Sequence, residues 1–134
     1  MKNVLHIGII IVALCMITGC TTKRKEEKIV EYNYEQLTMK EAKELMKNET
    51  DYIILDVRTL EEYNRGHIPN AINVSNENIG TEDIAELPDK EQMILVYCRS
   101  GYRSVLASEK LAMLGYANII EIGGILDWDG EIEQ

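Results

Sequence analysis

From Tyr52 to the end of the chain, apolar runs and polar stretches alternate at short intervals. YIILDV (52–57), AINV (71–74), MILVY (93–97) and NIIEI (118–122) are short, rich in β-branched residues and bounded by polar or turn-forming positions. That pattern predicts strands buried on both faces. Between them the spacing of apolar positions changes to a helical one. LTMKEAKELMKN opens with Thr38 and has Glu41 three residues on, a capping-box spacing that predicts a helix of about ten residues with Ala42, Leu45 and Met46 on one face. RTLEEYNRG repeats the pattern at Thr59 and Glu62, a short helix closed by Gly66. TEDIAELPD predicts a brief helix stopped by Pro88. Ser104 to Leu114 carries Val105, Leu106, Leu111 and Leu114 as an apolar stripe, and Gly115 ends it. After NIIEI come Gly123-Gly124 and a terminal helical turn with Trp128.

Strands apolar on both faces, alternating with helices, imply an α/β domain with a mainly parallel central sheet of about five strands covered on both sides. Such sheets place ligands at the carboxyl ends of their strands. The Cys98 loop occupies that position, since Cys98 follows a strand and Ser104 begins a helix.

The first residues follow a different pattern. Ile7 to Ile17 is an unbroken run of eleven residues without charge, after one early lysine. A spanning helix needs about 20 apolar residues, so the run fits the core of a signal peptide. Ile17-Thr18-Gly19-Cys20 resembles a bacterial lipobox, in which cleavage precedes the cysteine and its sulfur is lipidated. An uncleaved N-terminal anchor is the alternative. Residues 1–19 are therefore expected to be a removed signal, and residues 20–33 a lipidated Cys20 with a charged tether. The folded domain is expected over 34–134. Both readings put the domain at a membrane, outside the cytoplasm; two acyl chains on Cys20 would hold it there. The tether spans fourteen steps from Cys20 to Tyr34, at most about 46–50 Å. Its Lys23-Arg24-Lys25 either rests on anionic headgroups or is simply solvated.

Charge and cysteine content narrow the function. The chain carries 14 basic and 23 acidic side chains, net −9. That excludes a general nucleic-acid binder, which needs a basic surface. Of three cysteines, Cys15 lies in the expected signal and Cys20 would lose its thiol to lipid. Cys98 is then the one thiol of the exported chain, unable to form an internal disulfide. With the expected signal and its His6 removed, one histidine, His67, and one free cysteine cannot supply a zinc set, so no metal is expected, and no cofactor.

The segment CRSGYR (98–103) must turn tightly between strand and helix. Its N–H groups can converge into an anion nest at a helix N-terminus. Gly101 can take positive φ where the turn is tightest. The amides, the helix dipole, Arg99 and Arg103 would all lower the Cys98 pKa and stabilise an anion formed on it.

CRSGYR resembles the active-site loop of the rhodanese family. ILDVRTLEEYNRGHIPNAINV resembles the strand, helix and Gly-His-Ile-Pro turn that precede that loop in single-domain members, and EIGGILDW resembles their closing segment. The resemblance covers about Tyr34 to Asp129. It implies a sulfurtransferase in which Cys98 takes the outer sulfur of a donor such as thiosulfate or a persulfide and passes it to a thiophilic acceptor, whether a small thiol or a protein. It also implies that Arg99 and Arg103 bind the anionic donor, that the backbone of Arg99, Ser100, Gly101, Tyr102 and Arg103 cradles the persulfide, and that Asp56 and Arg58 give support and ion pairing. Phosphatases of related fold have five residues between cysteine and arginine; four separate Cys98 from Arg103, which favours a single sulfur over a tetrahedral oxyanion. Asn70 stands where many relatives have glycine, and asparagine tolerates left-handed backbone.

Some positions have two readings. Arg103 binds the donor or pairs with Asp56. Tyr102 lines the pocket or faces solvent. His67 is taken as structural, because a low-pKa thiolate needs no base, and Trp128 as core. A non-enzymatic module that binds an anion or displays a persulfide is the alternative function, and a phosphatase or arsenate reductase a more distant one.

Overall fold

The structure, a computed structural model, describes residues 31–134. The expected signal, Cys20 and most of the tether lie outside the described residues. Eight elements follow in order: β1 (Glu35–Gln36), α1 (Met39–Asn48), β2 (Tyr52–Asp56), α2 (Leu60–Arg65), β3 (Ile72–Asn73), β4 (Met93–Cys98), α3 (Tyr102–Met113) and β5 (Asn118–Gly124). The five strands form one sheet in the order β1-β5-β4-β2-β3, and every pairing is parallel. β4 and β2 are central and pair in full register from Tyr52↔Met93 to Asp56↔Tyr97.

Alternation along the strands divides the core. Leu55, Val57, Val96, Cys98 and Ile119 pack on one face against Ala107 and Leu111 of α3. Ile54, Leu95, Tyr97, Ile120 and Ile122 pack on the other against Met39 and Ala42 of α1. Both faces are thus dry, as the continuous apolar runs require. The two predicted capping boxes are present. Thr38 and Glu41 start α1, and Thr59 and Glu62 start α2, each with reciprocal side-chain to backbone bonds. Asn70 has φ 65, the one non-glycine residue with positive φ among those described.

Two expectations need correction. TEDIAELPD forms no helix; Ile84 and Leu87 are buried from a loop, linked by a single Leu87 N–H to Ile84 carbonyl bond of 3.0 Å. Seven residues before a proline, without a capping box, cannot repay helix nucleation, while two apolar anchors suffice to pin a loop. α3 begins at Tyr102, two residues earlier than predicted, because Gly101 rather than Arg103 closes the turn. β1 has no sequence signal: both residues are exposed, and it forms only by adding to β5.

A buried polar network ties the carboxyl edge of the sheet on the α1 face. Asp56 is fully buried and accepts from Arg58 Nε at 3.0 Å, Arg58 Nη2 at 2.6 Å, the Arg58 N–H at 2.9 Å and the Tyr97 hydroxyl at 2.7 Å. Arg58 also donates to the Gly66 carbonyl at 2.7 Å, and Tyr97 Oη accepts the Ile68 N–H at 3.1 Å. The network thus clamps the turn after α2 onto β2 and β4. Removing one partner of a buried, hydrogen-bonded pair strands the other charge. Asp56→Ala is therefore expected to lose about 3–5 kcal/mol of stability in urea unfolding, and Asp56→Asn less, since it keeps one acceptor oxygen of the two.

Candidate active site

β4 ends at Cys98 and α3 starts at Tyr102, so the chain reverses within three residues. Gly101 makes the turn with φ 103, in the left-handed region, as its sequence position predicted. The loop then lies directly on the end of β5. A Cβ at Gly124 would collide with the Arg99 carbonyl and come within 2.6 Å of Ser100 Cα. The Gly123-Gly124 pair therefore provides the seat on which the loop rests. A bond from the Leu126 N–H to the Arg99 carbonyl, 3.2 Å, closes the contact.

The sulfur is at the floor of this loop. Cys98 is only 1 % exposed, so a reactant reaches it by entering the loop. The Gly101 N–H donates to Sγ at 3.0 Å, and Ser104 Oγ lies 3.5 Å from Sγ. Burial pushes the Cys98 thiol up, but the Ser104 hydroxyl and the N–H groups of Ser104, Gly101 and Ser100 outweigh it, so the thiol lies below its ordinary value. The Gly101 N–H is the loop amide bonded to the sulfur, and the Ser100 and Ser104 N–H groups lie near enough to favour its thiolate.

The cations are placed less simply. Arg99 is exposed at the rim, as are Ser100 and Tyr102; Tyr102, 73 % exposed, faces solvent. Arg103 does not pair with Asp56. It forms a two-pronged ion pair with Glu62, Nη1 to Oε2 at 2.7 Å and Nη2 to Oε1 at 2.8 Å. Asp56 is unavailable because Arg58 and Tyr97 already occupy it on the α1 face of the sheet, whereas Cys98 packs on the α3 face. No side-chain bond of Asp56 or Arg58 reaches residues 98–103, so their support acts through β2, β4 and the turn after α2. His67 stacks on Tyr63 with ring centroids 3.8 Å apart and its Nδ1 lies 3.0 Å from the Tyr63 carbonyl, a structural position. Trp128 packs at the edge of the α1-face core and is half-buried.

Two site residues were missed. Glu62 was read only as a helix cap, yet the same carboxylate holds Arg103. Glu121 is 5 % exposed in the middle of β5, and its Oε1 accepts from Ser104 Oγ at 2.5 Å and from the Gly123 N–H at 2.8 Å. Its signal was available: one carboxylate interrupts the otherwise apolar run NIIEI. Among the described residues, no group of three or more His, Cys, Asp or Glu side chains converges as a metal would require. A groove lined by Leu60, Asn73, Ser75, Asn78 and Glu82 opens beside α2 and β3 and includes none of the loop residues.

Residues 38–131 match the family described as Rhodanese-like domain. The chain is 35% identical over 96 residues to the thiosulfate sulfurtransferase GlpE of Coxiella burnetii, covering 71% of this chain and 87% of that protein. It is 40% identical over 81 residues to a protein of Ogataea parapolymorpha named adenylyltransferase and sulfurtransferase uba4; that match covers 60% of this chain but only 21% of the longer protein. A solved structure of a rhodanese with anions from Escherichia coli superposes with a TM-score of 0.56 at 33% identity, over 62% of this chain and 98% of that one.

Glu62 gives the site an acid limit. The Arg103 guanidinium, helped by the Thr59 N–H and hydroxyl, holds its carboxyl down to about 2 from an ordinary 4.5. A depressed folded value means stabilisation that is complete above about pH 4.5 and lost as pH falls toward 2. Glu62→Gln is expected to be less stable than the wild type at neutral pH, with the gap closing in acid, as followed by thermal unfolding across that range.

Proposed function

The chain belongs to the rhodanese-like domain family, and on that premise we propose that it is a rhodanese-type sulfurtransferase working through a persulfide on Cys98. The observation that carries the reading is the Cys98 sulfur itself, set at the floor of a turn whose amides face it and hold the thiol below its ordinary value. A thiolate is the nucleophile such chemistry requires.

With thiosulfate as donor, the Cys98 thiolate attacks the outer sulfur. The new S–S bond forms as the old one breaks, and sulfite leaves with the electron pair. The terminal sulfur of the resulting persulfide carries the negative charge, and the amides of the turn, of which Gly101 already donates to Sγ, are the donors nearest to it. An acceptor, cyanide in an assay or a thiol in the cell, then attacks that outer sulfur and returns the Cys98 thiolate. The four-residue spacing to Arg103 supports a single bound sulfur. Arg99 is the exposed cation at the rim, and Arg103, though paired with Glu62, keeps N–H donors that the pair does not use.

The domain is further proposed to work outside the cytoplasm, held to a bacterial membrane by lipid on Cys20. What supports this is the apolar run from Ile7 to Ile17 followed by Ile17-Thr18-Gly19-Cys20. Among the described residues no helix is long and apolar enough to cross a membrane.

The purified domain is expected to transfer sulfur from thiosulfate to cyanide, and to gain the mass of one sulfur atom on Cys98 when given a sulfane donor. Cys98→Ala should abolish both; a domain that neither turns over nor gains mass with any sulfane donor would sink the reading. Labelling cells with a radioactive fatty acid should mark the full chain and spare Cys20→Ala, and equal labelling of the two would remove the anchor.

A further inference from the structure

Behind the sulfur lies a buried carboxylate that sulfur transfer as described above leaves without a task. Glu121 projects from β5 onto the α3 face, two positions before the Gly123-Gly124 seat of the loop. Its Oε1 accepts from Ser104 Oγ at 2.5 Å, within the range of charge-assisted O–H···O bonds. Ser104 Oγ in turn lies 3.5 Å from Cys98 Sγ. Ser104 is fully buried, and Cys98 and Glu121 are 1 % and 5 % exposed. A thiol, a hydroxyl and a carboxylate thus form an unbroken file.

No cation compensates Glu121 among the described residues. Its other contacts are the Gly123 N–H at 2.8 Å and Gln36 Nε2 at 3.4 Å. Tyr34 and, from α3, Glu109 are the titratable groups on its outer side, and Tyr34 feels both carboxylates. On the sulfur side Arg103 faces Cys98, already matched by Glu62 and near Glu77. A carboxylate placed here for stability alone would be a poor choice, since a buried charge without a counter-ion costs free energy that an apolar side chain would not.

We propose that Glu121 stores the Cys98 proton, exchanging it through the Ser104 hydroxyl. In the forward step the Sγ–H bond breaks and its proton goes to Ser104 Oγ, while the proton Ser104 already carried goes to Glu121 Oε1. The products are a thiolate and a neutral carboxylic acid; the negative charge has moved from Glu121 to Sγ and no proton has left the protein. When an acceptor removes the outer sulfur of the persulfide, the same file run backwards returns the proton to Sγ. The buried cluster therefore carries one negative charge when Cys98 is a thiol, a thiolate or a persulfide, and no step requires two adjacent buried anions. Glu121 acts through Ser104 and is a positioning residue for the thiol, not a group that touches the donor. The proposal deepens the sulfurtransferase reading, on which its catalytic meaning rests, but its test requires no sulfur donor.

Two groups that share one proton titrate as a pair, in two macroscopic steps when they interact by more than about one pH unit. The pH dependence of Cys98 alkylation by iodoacetamide, together with thiolate absorbance, is expected to show two steps in the wild-type chain. In Glu121→Gln, which keeps an acceptor for Ser104 but cannot take a proton, the profile should collapse to one step. A single step in the wild type overturns the proposal, as do two steps that persist in Glu121→Gln. Should that variant fail to fold, the wild type alone decides: across the upper step a carboxylic-acid C=O band must disappear from the infrared difference spectrum as the last thiolate appears, and absence of that band overturns the proposal. Loss of sulfurtransferase activity with the two-step titration intact would count against the enzyme reading and leave this one standing.

Discussion

Three residues between the end of a central strand and the start of a helix are the constraint from which the site follows. With β4 ending at Cys98 and α3 starting at Tyr102, the backbone has no length to spare. It must take positive φ at Gly101, and its N–H groups are forced toward the inside of the turn. Those groups then find Cys98 Sγ, because the sulfur is the first side chain inside the turn. The tightness also pushes the loop onto β5, where only a residue without Cβ leaves room at position 124. Backbone economy, glycine placement and a lowered thiol pKa are thus one fact seen at three scales.

The sheet separates two buried acids by face. Asp56, on the α1 face, is fully compensated by Arg58 and Tyr97 and serves to hold the turn that follows α2. Glu121, on the α3 face, has hydrogen bonds but no cation among the described residues, and it stands behind the sulfur. A buried carboxylate is therefore a brace in one place and, on our proposal, a proton site in the other. What distinguishes them is whether a guanidinium is within reach. That difference arises from strand alternation, which sends neighbouring positions of a strand into different cores.

Much of this was legible because it is local. Thr38 with Glu41, and Thr59 with Glu62, announce helix starts through bonds spanning three residues. The apolar runs of β2, β4 and β5 announce buried parallel strands, and Gly101 three residues after Cys98 announces a tight turn from strand to helix. What was not legible is pairing across the fold. Arg103 meets Glu62 rather than Asp56 because of how α2 lies beside the loop, a separation of 41 residues. Glu121 reaches Ser104 only because β5 runs beside β4 under α3. The failed helix at TEDIAELPD is different in kind: the pattern was there, but Ile84 and Leu87 could be buried without the cost of nucleating so short a segment.

The grip of Glu62 on Arg103 bears on ionic strength. An approaching anion meets an ion pair there and not a bare cation, so the field reaching out from the mouth is set by Arg99 against the chain's acidic excess. That outer field fades beyond roughly 10 Å at 0.1 M salt. What remains at contact is donation from backbone amides and from the Arg103 N–H groups that the pair does not use, barely screened at that range. Adding salt should therefore relieve the long-range repulsion of an anionic substrate while leaving its seat at Cys98 intact. A site built on exposed arginines would instead weaken as salt rises.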